Sequence, residues 1–130
     1  MNIVIDTNVF VSALLSSDNK SFYILEKVID GTHTLYYNEE IIDEYKAVLS
    51  RKKFAIDKTK ISYLISFIRL KGIYILEYKK SSISFPDESD RVFYDIAMLS
   101  DAILITGNTK HFPKHKRIIT VTTFYSRYLN

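Results

Sequence analysis

The feature that most constrains this chain is the alternation of short apolar runs with stretches whose apolar residues return every three to four positions. Residues 2–6 form a β-branched run ending in Asp6-Thr7-Asn8, the pattern of a buried strand that feeds a polar loop. Ser21 can cap a helix with Phe22, Leu25, Val28 and Ile29 on one face and Gly31 as its stop. Thr34 to Tyr37 reads as a second strand. Asn38 with Glu39 and Glu40 has the form of an N-cap and an acidic first turn, and the stripe Ile41, Ile42, Tyr45, Val48 and Leu49 carries that helix to about Arg51. Ile61, Leu64, Ile65 and Ile68 predict a helix over residues 59–71, ended by Gly72 and followed by a strand from Ile73 to Leu76. Beyond the polar connector Lys79 to Pro86, a helix from Asp90 to Ser100, a strand from Ala102 to Thr106, a strand from Ile118 to Val121 and a helix from Thr122 to Leu129 complete the pattern.

Strands separated by helices require right-handed crossovers and a parallel sheet covered on both faces, so the predicted class is α/β. Ligands of such sheets bind beyond the carboxyl ends of the strands. Two polar clusters, Asp6-Thr7-Asn8 and Gly107-Asn108-Thr109, follow predicted strands and should meet on one edge.

The 130 residues suit one domain over residues 1–130, and 47% apolar residues can fill its core. The absence of Cys excludes disulfides, thiolate metal sites and a Cys nucleophile, and fits a reducing, cytoplasmic setting. No apolar run approaches the roughly 18 residues of a membrane span, so no membrane association is expected. Eighteen Lys and Arg against fifteen Asp and Glu give a net charge of +3, which permits a polyanionic partner without requiring one.

The candidate chemistry lies in the acids. Asp6, directly after a strand, is either a cap for the following backbone or a ligand in a cleft. At 100° per residue, Glu44 falls on the border of the apolar stripe beside Val48, whereas Glu39 and Asp43 point away. Asp87, Glu88, Asp90 and Asp95 crowd the start of one helix. A helix dipole explains one or two such acids, and four within nine residues suggest that some serve a cation. Asp90 and Asp95 lie about 140° apart around a regular helix, so Asp90 is the ligand candidate and Asp95 a supporting one. Carboxylates from separated segments, with no Cys and no His pair at ligand spacing, suit Mg²⁺ or Mn²⁺ rather than zinc. Such an ion activates water and stabilises charge on a leaving group, and phosphodiester hydrolysis is the fitting reaction.

The order Val4-Ile5-Asp6-Thr7-Asn8-Val9, Glu44 in Ile42-Asp43-Glu44-Tyr45, Asp90 in Asp90-Arg91-Val92-Phe93-Tyr94-Asp95-Ile96-Ala97, and Leu104-Ile105-Thr106-Gly107-Asn108 resembles the PIN-domain ribonucleases. More narrowly, with Thr106-Gly107-Asn108-Thr109-Lys110-His111-Phe112-Pro113, the chain is similar to the short bacterial VapC-like toxins of toxin–antitoxin systems. The resemblance implies a three-layer α/β/α sandwich with a central parallel sheet, and a divalent-metal cleft that cuts single-stranded RNA. It places the family's acids on Asp6, Glu44 and Asp90 as metal ligands. The fourth position falls on Asn108, where many relatives have Asp, so the site has one negative charge fewer. Thr7 and Asn8 would lie near the scissile phosphate or the metal waters, with Lys110 as a substrate contact. RNA as substrate and a cognate antitoxin protein as partner follow, and a homodimer is compatible with it.

His111 beside Lys110 suits either a phosphate contact or a structural or exposed role. The runs Arg51-Lys52-Lys53 and Lys110, Lys114, Lys116 and Arg117 suit an RNA backbone or a solvated face equally. Two other readings stay open. A catalytically silent PIN-like RNA-binding protein would suit Asn108. A receiver-like phospho-acceptor domain would need adjacent acids after its first strand and an Asp at a central strand end, where this chain has a lone Asp6 and Glu77.

Overall fold

The computed structural model describes residues 1–128; Leu129, the last residue of the predicted C-terminal helix, lies outside the described residues. Five parallel strands form one sheet in the order β3-β2-β1-β4-β5, namely β1 Asn2–Ile5, β2 Thr34–Tyr37, β3 Ile73–Tyr74, β4 Ile103–Thr106 and β5 Ile118–Thr120. Six helices flank it: α1 Thr7–Leu15, α2 Lys20–Ile29, α3 Glu39–Leu49, α4 Lys58–Lys71, α5 Arg91–Leu99 and α6 Val121–Tyr128. This is the predicted α/β/α architecture.

The strand order decides where a site forms. From β1 the chain moves outward through β2 to β3, then returns to place β4 on the other side of β1, with Ile3, Val4 and Ile5 registered on Ile103, Leu104 and Ile105. The connections leaving β1 and β4 therefore diverge, and a crevice opens between their carboxyl ends. Asp6 follows one of these strands and Asn108 the other. The central position of β1 also explains its continuous apolar run, since Ile3, Val4 and Ile5 are completely buried between two helical layers.

The polar loop expected after β1 is absent: α1 begins at Thr7, one residue beyond Asp6. Asp6 stands at the N-cap with extended backbone (φ −66°, ψ 147°), and its Oδ1 accepts from Thr7 N at 2.9 Å. The helix hides from periodicity because it is short and nearly apolar all round, with Val9, Phe10, Val11 and Ala13 buried. The next helix is capped by Asn19, two residues before the expected Ser21. Asn19 Oδ1 accepts from Phe22 N at 2.8 Å, and its Nδ2 donates to Ser12 O at 3.0 Å, tying α2 to α1.

Gly31 follows α2 with φ +85°, a conformation that costs Gly least. Gly72 ends α4 as expected, but in extended backbone at φ −74°; its role is proximity, since a Cβ there would lie 2.7 Å from Ile68 O and 2.9 Å from the Tyr37 ring. The strand predicted through Leu76 stops at Tyr74, at the sheet edge, although Ile75 N still donates to Tyr37 O at 2.8 Å.

Candidate active site

Asp6 is fixed at both carboxylate oxygens. Oδ1 caps α1, and Oδ2 accepts from Thr106 Oγ1 at 2.7 Å, while Asp6 N donates to Ile105 O at 2.9 Å. The same Thr106 hydroxyl accepts from Asn108 N at 3.1 Å, so one buried side chain orients the residues that follow β1 and β4. Cap and site residue are thus one carboxylate. Burial pushes the Asp6 carboxyl above its ordinary range, against the hydrogen bonds from Thr106 and Thr7.

Glu44 lies on α3, whose packing is set by Tyr45. That side chain is fully buried, meets Phe10 edge-on with ring centroids 4.9 Å apart, and donates from its hydroxyl to Ile5 O at 2.5 Å. The residue next to Tyr45 is thereby held beside the end of β1. Burial first, then the charges of Asp87 and Asp6, raise the Glu44 carboxyl, with Arg51 opposing. Glu44 also lines an open groove of about 450 Å³ together with Asp43, Tyr78 and Arg91.

Asp90 ends a 3₁₀ turn, Glu88–Asp90, and occupies the N-cap position of α5 without making a side-chain cap. Its Oδ2 is buried and has no hydrogen-bond partner. Burial, followed by the neighbouring charges of Asp6 and Asp87, pushes its carboxyl up to about 6, with His111 opposing and Glu44 adding to the rise. The charge of Asp6 thus acts on both Glu44 and Asp90, and that of Glu44 on Asp90.

Asn108 stands at the rim, its Oδ1 accepting from Lys110 N at 3.1 Å and its Nδ2 lying 3.1 Å from His111 Nε2. Lys110 is exposed in the 3₁₀ turn Thr109–His111, and Asn8 is exposed on α1. Thr7 is buried and its Oγ1 has no partner. Asp95 turns elsewhere. Its Oδ2 accepts from Ser81 N at 3.0 Å, and Arg91 donates to Ser81 O at 2.7 Å, so these two side chains of α5 pin the connector that precedes the site.

Three contributors had no place among the acids' partners as read from sequence. Asp87, weighed only as one of four crowded acids, acts on Asp6, Glu44 and Asp90 at once. His111 lies 3.8 Å from Asp90 through Nδ1. Thr106 was read as the end of a strand; a hydroxyl in an otherwise aliphatic buried run was the signal available for it.

As the side chains stand, no three His, Asp or Glu groups among the described residues close on one point to hold an ion. The donor set nevertheless fits a hard divalent cation, which needs only one or two carboxylates and keeps several waters. Mutually repelling acids, and a buried hydroxyl on Thr7 without a partner, are what such an ion and its waters would satisfy.

Fold and crevice define a parallel α/β protein with an acidic site at its topological switch point. Residues 2–110 match the PIN domain family, and the chain belongs to it; PIN domains are in general nucleases that use divalent metal ions. The chain is 27% identical over 111 residues to the uncharacterized protein MJ1680 of Methanocaldococcus jannaschii, covering 83% of this chain and 71% of that one. Its fold is similar to the crystal structure of VapBC2 from Rickettsia felis bound to a DNA fragment from their promoter, with a TM-score of 0.57 and 20% identity over 92% of this chain and 97% of the matched chain. No helix among the described residues is long and apolar enough to cross a membrane.

Proposed function

We propose that this protein is a Mg²⁺- or Mn²⁺-dependent endoribonuclease that cuts single-stranded RNA, and that it acts as the toxin of a toxin–antitoxin pair with a cognate antitoxin protein as partner. What carries the reading is the electrostatic coupling of three acids from separate segments, since Asp6 raises the carboxyls of both Glu44 and Asp90 and Glu44 raises that of Asp90. A structural role accounts for one oxygen pair, that of Asp6, but not for Asp90, which caps nothing and pairs with no donor through its buried oxygen.

Asp6, Glu44 and Asp90 would hold the ion. When bound, it supplies an activated water and stabilises charge at phosphorus and on the departing oxygen. The chain's own part is orientation: Thr106 and the first turn of α1 hold Asp6 still, and Tyr45 fixes α3, the helix that carries Glu44, to the end of β1. Thr7 Oγ1 is a buried hydroxyl without a partner at the start of α1, and Lys110 is an exposed cation in the turn after β4 that suits a flanking phosphate. The similarity in fold to a VapBC complex supports an antitoxin partner. The test is cleavage of end-labelled single-stranded RNA with Mg²⁺ or Mn²⁺ and with excess EDTA. Metal-dependent internal cuts are expected; RNA binding without cleavage under any metal would instead favour the silent RNA-binding reading.

A further inference from the structure

The amide of Asn108 has one orientation. Its Oδ1 accepts from Lys110 N at 3.1 Å, and because a backbone N–H only donates, the other end of the amide is the NH₂. That Nδ2 sits 3.1 Å from His111 Nε2, which must then offer its lone pair. A neutral imidazole carries one N–H, and the partner of one nitrogen decides where it goes, so the ring proton of His111 sits on Nδ1. Nδ1 faces Asp90 Oδ2 at 3.8 Å, beyond hydrogen-bond length, and that oxygen is the buried one without a partner. His111 is about half exposed and belongs to a three-residue turn, which leaves its ring room to swing inward.

We infer that His111 is a positioning residue for Asp90: Asn108 holds the ring in the Nδ1–H tautomer, and that N–H presents a donor to Asp90 Oδ2, leaving the other carboxylate oxygen to a divalent cation. The inference rests on the proposed function only in taking Asp90 as a ligand. It gives Asn108 a task that a carboxylate at this position would not perform, since an acid has no N–H to offer Nε2. Partners that orient ligating groups typically matter about 10- to 100-fold in metal affinity.

The ring can be read directly. In the ¹⁵N-labelled full-length chain, long-range ¹H–¹⁵N correlation of neutral His111 is expected to show a protonated Nδ1 and a bare Nε2, and Asn108→Ala is expected to lose that pattern. In calorimetric Mn²⁺ titrations, His111→Ala should bind about tenfold or more weakly. His111→Asn, whose NH₂ falls near the place of Nδ1, should retain most of the affinity, and His111→Gln, whose NH₂ falls near Nε2, should behave like the Ala variant. A bare Nδ1 in the wild type, or equal Mn²⁺ affinities for the Asn and Gln variants, would overturn the positioning role. RNA cleavage is scored separately. A wild type with the Nδ1–H tautomer and the Asn-over-Gln ranking that cuts no RNA keeps the role of His111 and removes the nuclease reading, whereas RNA cleavage with a bare Nδ1 does the reverse.

Discussion

Thr106 Oγ1 donates to Asp6 Oδ2 at 2.7 Å, joining the ends of two neighbouring parallel strands that are 100 residues apart in the chain. The hydroxyl also accepts from Asn108 N. Thr106→Val keeps the shape and removes both contacts, leaving a buried carboxylate oxygen and a backbone N–H unpaired. The expected cost is about 1 to 3 kcal/mol of stability, measured by denaturant unfolding. Thr106 is the largest influence lowering the Asp6 carboxyl, so the same variant should move Asp6 further upward.

Asp90 ties stability to pH. Its carboxyl is raised in the folded chain to about 6, so the folded state holds the proton more tightly than the unfolded one. The group is neutral in both states below its ordinary range near 4, and its destabilising effect grows as pH rises through about 6. Without divalent ions, Asp90→Asn should melt with the wild type at pH 4 and above it at pH 7, by about 1 kcal/mol after allowing for solvent screening. With Mn²⁺ the order at pH 7 should reverse, because the ion then stabilises only the chain that has the carboxylate. Equal melting at both pH values would remove the repulsion on which the shared site rests.

The layered fold was legible in sequence because its strands are short apolar runs between helices with clear stripes. The helix α1 was not, since Val9 to Leu15 is apolar except for Ser12 and has no clear period to read. Asp6, Glu44, Asp90 and Asn108 could be marked as candidates by position in their elements and by family resemblance. Asp87 and His111 could not be weighed properly, because each acts on groups that only the strand order brings near. Asp95 shows the converse: it sits in the right stretch of sequence, yet 140° of helical rotation aims it at Ser81 instead.

Asp95→Ala tests that division of labour. Loss of the acceptor for Ser81 N should cost about 1 to 3 kcal/mol in stability, while Mn²⁺ affinity measured by calorimetry on the folded variant should stay as in the wild type. A large loss of affinity would return Asp95 to the site.

Gly72→Ala should destabilise through contact rather than backbone strain. The added Cβ would meet Ile68 O at 2.7 Å, a backbone atom of α4 that cannot swing aside, as well as the Tyr37 ring. A loss of about 1 to 3 kcal/mol is expected in thermal or denaturant melts, with no change in Mn²⁺ affinity.

The most direct test of the central claim is cleavage of end-labelled single-stranded RNA under single-turnover conditions at saturating Mn²⁺, comparing the wild type with Asp90→Asn after circular dichroism has shown both to be folded. The wild type should cut internally, and the variant should be slower by about a hundredfold or more, the effect of losing a metal-binding charge worth several kcal/mol in the transition state. A folded Asp90→Asn protein that cuts at the wild-type rate would contradict the assignment of this acidic crevice as the catalytic metal site.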